Sequence, residues 1–393
     1  NDGCICAVSP EARKLQVPKF EPYFKLKNFL AQHNVVVRSS NYELYADLSE
    51  RMMAVVGRFC DNQYVYSIDE AFLQYTGYRA LIDDWHQHGH DIRRAVWKET
   101  KLPVGVGLAN TPTLAKAANH AAKKLSGYNG VAVIEGERAR QDILQKMKVS
   151  DVWGIGRQLS KKLNFMKIET ALDLANQNPK DMRKQFSVVV ERTVNELNGI
   201  TCLSWDEVKQ PKKEIFSTRS FGNRITEVHG LKAALITHCS IVARKLRAQK
   251  SLAKRMAVFA SSSPHDDKHI GGSYFKRSYI YEFPVASSDS TVLANAVNSL
   301  LPHLFQQGVR YYRCGVGAIE LESELFRQSD IFSTSIDNPE LMDCYDRINR
   351  RFGYGALNIA SESQTKTKTW QMKREFMSPR YTTSWRDIPK ISC

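Results

Sequence analysis

From Glu214 to Leu321 the chain alternates in an order that few folds satisfy. Strand-like runs at about 214–225, 255–262, 274–285 and 310–321 are interrupted by helical periodicities at about 231–250 and 290–305. Period-two segments put apolar residues on one face of a sheet, and the 3.6-residue segments supply the stripes that cover it. The order strand, helix, strand, strand, helix, strand is that of the split βαβ arrangement. A polar, basic stretch containing Pro211 precedes it, Val208 to Lys213, and reads as a linker. At 393 residues the chain exceeds what one core serves, and roughly two to four domains are expected.

The residues before the linker read as bodies of different kinds. The first 37 carry Pro10, Pro18 and Pro22 among short helical patterns and suggest a small module with little core. A helical run over Tyr42 to Phe59 follows. In Gln63 to Leu73 two β-prone segments then meet at an acidic pair, predicting a hairpin with Asp69 and Glu70 at or near its tip. Leu102 to Ala109 has the pattern of a buried strand, and Thr111-Pro112 sets a capping hydroxyl and an N1 proline before a helix over Thr113 to Leu125. This alternation predicts an α/β sheet interrupted by the N-terminal module. From Glu137 to Gly199 the pattern is helical, punctuated by Asp151-Val152-Trp153-Gly154-Ile155-Gly156. Past Ser323 come one helical stretch, Leu341 to Arg351, and a Lys- and Thr-rich segment running to Trp370-Gln371-Met372-Lys373-Arg374.

Fifty-six Lys and Arg against 41 Asp and Glu leave a net charge of +15, which favours a polyanionic partner such as DNA or RNA without naming the polymer. The eight cysteines contain no CxxC pair. Neither a zinc ribbon nor a disulfide framework is therefore expected, and a reducing, cytoplasmic setting fits. No apolar run has bilayer-spanning length, so no membrane partner is expected.

Asp69 and Glu70 are adjacent, so on a regular strand they would face opposite ways, and both reach one site only where the turn re-aims them. Two readings stay open at this point. One is an exposed acidic turn; the other is a pair of oxygen donors for Mg2+, completed by phosphate and water. The helix after Thr111 carries Lys116, Asn119 and Lys123 on a polar face opposite Ala117, Ala118, Ala121 and Ala122. Lys123 can then reach a triphosphate, and Arg13 offers a planar fork for the same group, although both also suit a solvated surface. Gly154 and Gly156, followed by Arg157, Lys161 and Lys162, resemble a helix-hairpin-helix turn whose N–H groups bind phosphate. A glycine-capped helix connection is the other reading. Arg219, Arg224, Arg255, Lys276, Arg277, Arg310 and Arg313 fall on or beside the strands of the last domain, where alternation would gather them into a basic face. In Gln328-Ser329-Asp330-Ile331-Phe332 the apolar pair wants a partner, either another protein or its own domain. His86, His88 and His90 fit a surface loop better than a metal site, having no cysteine nearby.

Together these strings resemble the Y-family polymerases and, within them, the UmuC group. The resemblance rests on Ser40 to Ser49 (SNYELYADLS), Ser67 to Phe72 (SIDEAF), Val104 to Gly107 (VGVG), Leu114 to Asn119 (LAKAAN) and Asp151 to Gly156 (DVWGIG). Trp370 to Arg374 and Ser378 to Thr383 are similar to the UmuC tail. The resemblance covers essentially the whole chain and implies an α+β multidomain right hand. Its parts would be a palm at 1–9 and 42–135, small fingers at 10–41, a helical thumb at 136–208, a linker at 209–213, a little finger at 214–322 and a tail at 323–393.

The implied activity is that of a DNA-directed DNA polymerase of the translesion type, acting in SOS repair and mutagenesis by nucleotidyl transfer with Mg2+. Asp69 and Glu70 match the catalytic metal ligands, and Arg13 and Lys123 match triphosphate-binding positions. Gly154, Gly156 and the little-finger cations would hold primer-template DNA. Gln328, Ile331 and Phe332 match the sliding-clamp motif, and a UmuD-like subunit and a RecA filament are the further partners implied. Pro10 stands where many relatives place a nucleotide-contacting Tyr. The resemblance also implies a strand with another metal-binding Asp ahead of Asn1, so the chain is expected to be truncated and catalytically impaired. The alternatives are a non-catalytic protein that binds DNA and the clamp, or a metal nuclease, which would leave the fingers, thumb and little-finger strings without a purpose.

Overall fold

The computed structural model describes residues 2–78, 81–203, 211–265, 274–326, 337–353, 355–362, 372 and 374–388. They gather into two units, Asn1–Ser40 with Pro211–Ser378 and Asn41–Gln210 with Pro379–Cys393.

In the N-terminal module, helix α1 (Pro10–Lys14) starts where the Ser9 hydroxyl accepts the Ala12 N–H at 3.2 Å and Pro10 occupies the first position. Helix α2 (Tyr23–Gln32) buries Leu30 against Ala12 and Val17. So small a core needs help, and the far end of the chain supplies it. The Ser39 N–H donates to the Phe376 carbonyl at 2.9 Å, the Phe376 N–H to the Ser39 hydroxyl at 3.0 Å and the Glu375 N–H to the Asp2 carboxylate at 2.8 Å. The Phe376 ring meets Tyr23 edge-on at 5.7 Å. Residues 363–371 of the Lys- and Thr-rich segment lie outside the described residues.

The second unit opens with α3 (Tyr42–Val56), where the Asn41 side chain accepts the Leu44 N–H at 3.3 Å. Asn41 also donates to the Pro379 carbonyl at 3.3 Å, and the Thr382 side chain holds the Asp47 carboxyl below its ordinary range. Strands β1 (Gln63–Val65) and β2 (Ala71–Leu73) form the predicted hairpin, with Val65 opposite Ala71.

Helix α4 (Trp85–Thr100) corrects one expectation, because it contains His86, His88 and His90, which the spacing assigned to a loop. The Asp84 carboxylate caps it by accepting the His86 and Gln87 N–H groups at 2.8 and 3.1 Å, and Gly89, Ile92 and Val96 bury its inner stripe. Strand β3 (Val106–Leu108), helix α5 (Pro112–Lys124) and strand β4 (Val131–Val133) complete a parallel βαβ unit. Among the described residues the β1-β2 and β3-β4 ribbons are separate two-stranded sheets.

Among the described residues five short α-helices follow: α6 (Glu137–Lys146), α7 (Arg157–Phe165), α8 (Ala171–Ala175), α9 (Pro179–Gln185) and α10 (Val188–Leu197). Their buried Ile143, Leu144, Leu163, Leu174 and Val194 share one core with Leu114, Ala117, Ala118 and Ala121 of α5. A polar lock reinforces this packing. The fully buried Glu196 carboxylate accepts from the Thr113 N–H and hydroxyl at 2.9 and 2.5 Å and from the N–H groups of Cys202 and Leu203 at 3.1 Å each, which meets the rule that a buried charge must be hydrogen-bonded.

Past the linker the predicted order is met by β5 (Ile215–Ile225), α11 (Val228–Gln249), β6 (Ser251–Ser261), β7 (Lys276–Ser287), α12 (Ser290–Leu304) and β8 (Tyr311–Ser323). The strands lie in the order β5-β8-β6-β7, all neighbours antiparallel. Buried Met256, Val258, Tyr311, Val316 and Phe283 pack with Leu235, Val242 and Val297 of the two helices, so the helices cover one face and leave the other open. Helix α13 (Pro339–Phe352) is tied to α11 by a two-pronged Arg247–Asp346 pair at 2.7 and 2.8 Å, and Ser240 of α11 donates to the buried Glu362.

Because a half-buried aromatic ring anchors the tail to the N-terminal module, Phe376→Ala should lower stability by about 1–2 kcal/mol. Urea unfolding should show an earlier midpoint, and limited proteolysis should cut faster near residues 33–40. An unchanged midpoint and cutting pattern would mean that the tail contributes nothing there.

Candidate active site and nucleic-acid surfaces

Asp69 and Glu70 lie in the turn between β1 and β2, not on either strand. The Glu70 carbonyl closes the turn by accepting the N–H groups of Tyr66 and Ser67, both at 3.0 Å, and the Ser49 hydroxyl of α3 donates to the Ile68 carbonyl. Asp69 is exposed, and its carboxylate accepts the Ser67 hydroxyl at 2.6 Å. Glu70 is half-exposed and leans on Lys116 of α5, whose Nζ is 2.8 Å from its Oε2. Both acids therefore sit in a turn rather than on a regular strand, Asp69 held by Ser67 and Glu70 by Lys116.

Lys116 is enclosed by rings as well. Its ammonium lies 5.0 Å from the centroid of Tyr66 and 5.7 Å from those of Phe72 and Trp153, within cation–π range of all three. Trp153 comes from the DVWGIG turn; its Nε1–H donates to the Tyr66 hydroxyl at 3.3 Å, and the two rings meet edge to face at 5.6 Å. Periodicity puts Lys116 on the polar face of α5 without assigning it a role, and the cage does not follow from the sequence. The available signal was aromatic: Tyr66 and Phe72 bracket the acidic pair, and Lys116 shares the polar face of α5.

That polar face is used at all three positions. Lys116 meets the acidic turn, Asn119 donates its amide to the Gly105 carbonyl at 2.8 Å, and the Lys123 stem crosses Gly105, leaving an exposed head. Gly107 explains the closeness of strand and helix. A Cβ there would lie 2.1 Å from the Asn119 nitrogen and 2.4 Å from the Ala115 carbonyl oxygen, both backbone atoms. Arg13 is exposed on α1, in a different unit from Lys123. Gly154 has φ +88°, Ile155 is buried and donates its N–H to Val152, and Gly156 caps the start of α7 with Arg157, Lys161 and Lys162 following.

The seven cations of the last domain do not all share a face. Strand register sets Arg219, Cys314, Ala260 and Arg277 in one row, and Cys314 and Ala260 are buried under the helices. Arg219 and Arg277 thus belong to the covered face, at its two edges, and Arg277 donates to the His303 carbonyl and Gln306 at the end of α12. Arg310 precedes β8. The next row, Ser220, Arg313, Ser261 and Lys276, belongs to the open face. Arg224 stacks over the Tyr312 ring at 4.4 Å, while Arg255 is held between Glu282 and Glu320 at 3.0 Å each, which neutralises much of its charge. Alternation alone misplaces Arg219 and Arg277, because a cation at a sheet edge keeps access to solvent even on the covered side, Arg219 exposed and Arg277 half-buried. Gln328, Ile331 and Phe332 lie outside the described residues.

Among the described residues no three His, Cys, Asp or Glu side chains converge as a metal cluster, and no helix is long and apolar enough to cross a membrane.

The impB/mucB/samB family model matches residues 1–120, and that of the impB/mucB/samB family C-terminal domain matches 212–331. A domain of unknown function, DUF4113, matches 339–391. Protein UmuC of Salmonella typhimurium is 39% identical over 395 aligned residues, spanning 100% of this chain and 92% of that protein. DNA polymerase IV of Bacillus anthracis is 25% identical, spanning 95% and 88%. Among solved structures, a Y-family DNA polymerase chimera, Dbh-Dpo4(243-245)-Dbh, superposes with a TM-score of 0.58 at 20% identity, covering 82% of this chain and 88% of that one. This likeness shows a shared fold.

Because a side chain at position 107 collides with helix backbone, Gly107→Ala should cost about 3 kcal/mol or more. Thermal unfolding should show a large loss, with Trp153 fluorescence altered because α5 carries Lys116. A melting temperature within a degree of wild type would contradict this packing.

Proposed function

The chain belongs to the impB/mucB/samB family and is a UmuC-type Y-family DNA-directed DNA polymerase of the translesion class, and from this we propose that Asp69 and Glu70 are its catalytic carboxylates in SOS damage bypass. One observation carries the site assignment: the turn holding both acids is pinned to α5, the same helix that presents Lys123. The donor set suits Mg2+, which takes one or two carboxylates and completes its shell with phosphate oxygens and water. Bound there, divalent ions would lower the pKa of the attacking primer hydroxyl and clamp the triphosphate.

The protein's own groups do the rest. Asp69 and Glu70 supply fixed negative charge, one oriented by Ser67 and the other by Lys116. Lys123 and Arg13 bind the triphosphate, Lys123 from a stem braced on Gly105. The N–H groups around Gly154 and Gly156, with Lys276, Arg313, Arg224 and the remaining little-finger cations, hold the primer-template backbone without reading its sequence. This division follows the order palm, fingers, thumb and little finger at 1–9 with 42–135, 10–41, 136–208 and 214–322. Gln328, Ile331 and Phe332 dock on a sliding clamp, and a UmuD-like subunit and a RecA filament assist on chromosomal DNA in the cytoplasm.

Primer extension tests the reading. With Mg2+ and all four nucleotides, Asp69→Ala should reduce incorporation by about a thousandfold, a loss typical of removing fixed transition-state electrostatics, while duplex affinity stays within about twofold. Extension by Asp69→Ala at the wild-type rate would remove the assignment. In salt titrations of DNA binding, Lys276→Ala and Arg313→Ala should each reduce the slope of log affinity against log salt by about 0.9, and Arg277→Ala by less. Equal effects of all three would mean that the open face is not the contact surface.

A further inference from the structure

The acidic turn already contains a cation. Lys116 Nζ lies 2.8 Å from Glu70 Oε2, an oxygen that a divalent ion at the turn would use. An exposed Lys–Glu pair is ordinarily loose and weak. This one is held on every side: the Lys116 side chain is 19% exposed against 37% for Glu70, and Tyr66, Phe72 and Trp153 wall in the ammonium. The Trp153–Tyr66 hydrogen bond fixes two of those walls relative to each other. The base of the lysine is equally immobile, because α5 sits on Gly107 and is locked to Glu196.

Building on the polymerase reading, we propose that Lys116 is a positioning residue that sets the divalent-ion requirement of the acidic turn: its ammonium holds the Glu70 carboxylate ready and competes with the metal for it. Two consequences follow from its charge. Glu70 stays aimed in the metal-free protein, since a carboxylate beside three rings would otherwise lack a partner for that oxygen. A like charge within about 5 Å also opposes an incoming dication, weakening its binding to the bare turn on the order of tenfold even with water-like screening. The turn is thereby discouraged from loading metal before a negatively charged triphosphate arrives.

The test reads metal binding directly, on the full chain without DNA or nucleotide. Mn2+ is titrated and the free ion is followed by electron paramagnetic resonance. Lys116→Met keeps the apolar stem inside the cage and removes the charge, so it should bind Mn2+ about tenfold more tightly, whereas Lys116→Arg should remain near wild type. Adding Glu70→Gln to Lys116→Met should abolish the gain, which localises it to this turn. Trp153→Ala opens one wall and should shift affinity in the same direction by less, and it serves as the test if circular dichroism shows that Lys116→Met does not fold. Affinity in Lys116→Met that is equal to or weaker than wild type overturns the proposal, as does a gain that survives Glu70→Gln or appears equally in Lys116→Arg. Primer extension run in parallel separates the two levels. Normal wild-type extension with unchanged Mn2+ affinity in Lys116→Met removes this inference and leaves the polymerase assignment standing. Tighter Mn2+ binding without any wild-type extension does the reverse.

Discussion

The close seating of α5 on β3 is the constraint on which the rest of the second unit depends. Helix backbone lies where the Cβ of any residue other than glycine at 107 would be, so the helix has one depth and one rotation available. With rotation fixed, the polar stripe of α5 has three fixed destinations: the acidic turn for Lys116, the Gly105 carbonyl just ahead of β3 for Asn119 and the space above Gly105 for Lys123. The opposite stripe, Leu114, Ala117, Ala118 and Ala121, must then be buried, and the short helices provide the apolar surface. None of those helices is long enough to be stable alone. Their order comes from α5, through this shared core and through the buried Glu196 carboxylate that caps its first turn.

The sequence was most legible where local signals and burial agree. The Thr111-Pro112 start of α5, the hairpin around Asp69 and Glu70 and the six elements of the last domain all combine a cap or turn residue with the right period, and each is found within a few residues of its expected place. It was least legible where position depends on which side of an element is covered. Period two identifies two faces of β5 and β7 but does not say which one the helices take, and for Arg219 and Arg277 the row they share with Cys314 and Ala260 decides it. The histidines of α4 were misjudged for a different reason: the Asp84 cap was present but its stripe, Gly89, Ile92 and Val96, is short and starts on a glycine. The partner of Lys116 could not be read at all, since Trp153 reaches it from 37 positions later in the chain through tertiary packing alone.

Long-range contacts also change what the tail means. A segment rich in Lys and Thr near a chain end invites a reading as a solvated appendage, yet residues 374–378 complete the N-terminal module with three hydrogen bonds and a ring, and 379–382 reach α3. Among the described residues the module buries Ala12, Val17 and Leu30, with six partly buried apolar side chains packed against them. So small a core does not offset the ordering of some forty residues, so the segment that follows the DUF4113 helix is a structural component of the N-terminal module and not an accessory to it.

Charge in this protein is more local than a net value of +15 suggests. Arg247 is committed to Asp346, Arg255 to Glu282 and Glu320, and Lys116 to Glu70. These groups shape the protein's own framework and contribute little to a distant polyanion, because a paired charge presents a dipole whose field decays within a few ångströms in salt. Attraction toward a nucleic-acid backbone then falls to exposed groups such as Lys276, Arg310, Arg313, Lys123, Arg157 and Lys161. Contacts from such cations to phosphates would leave each base unread. That suits an enzyme whose template is damaged, since contacts that ignore base identity also ignore the lesion.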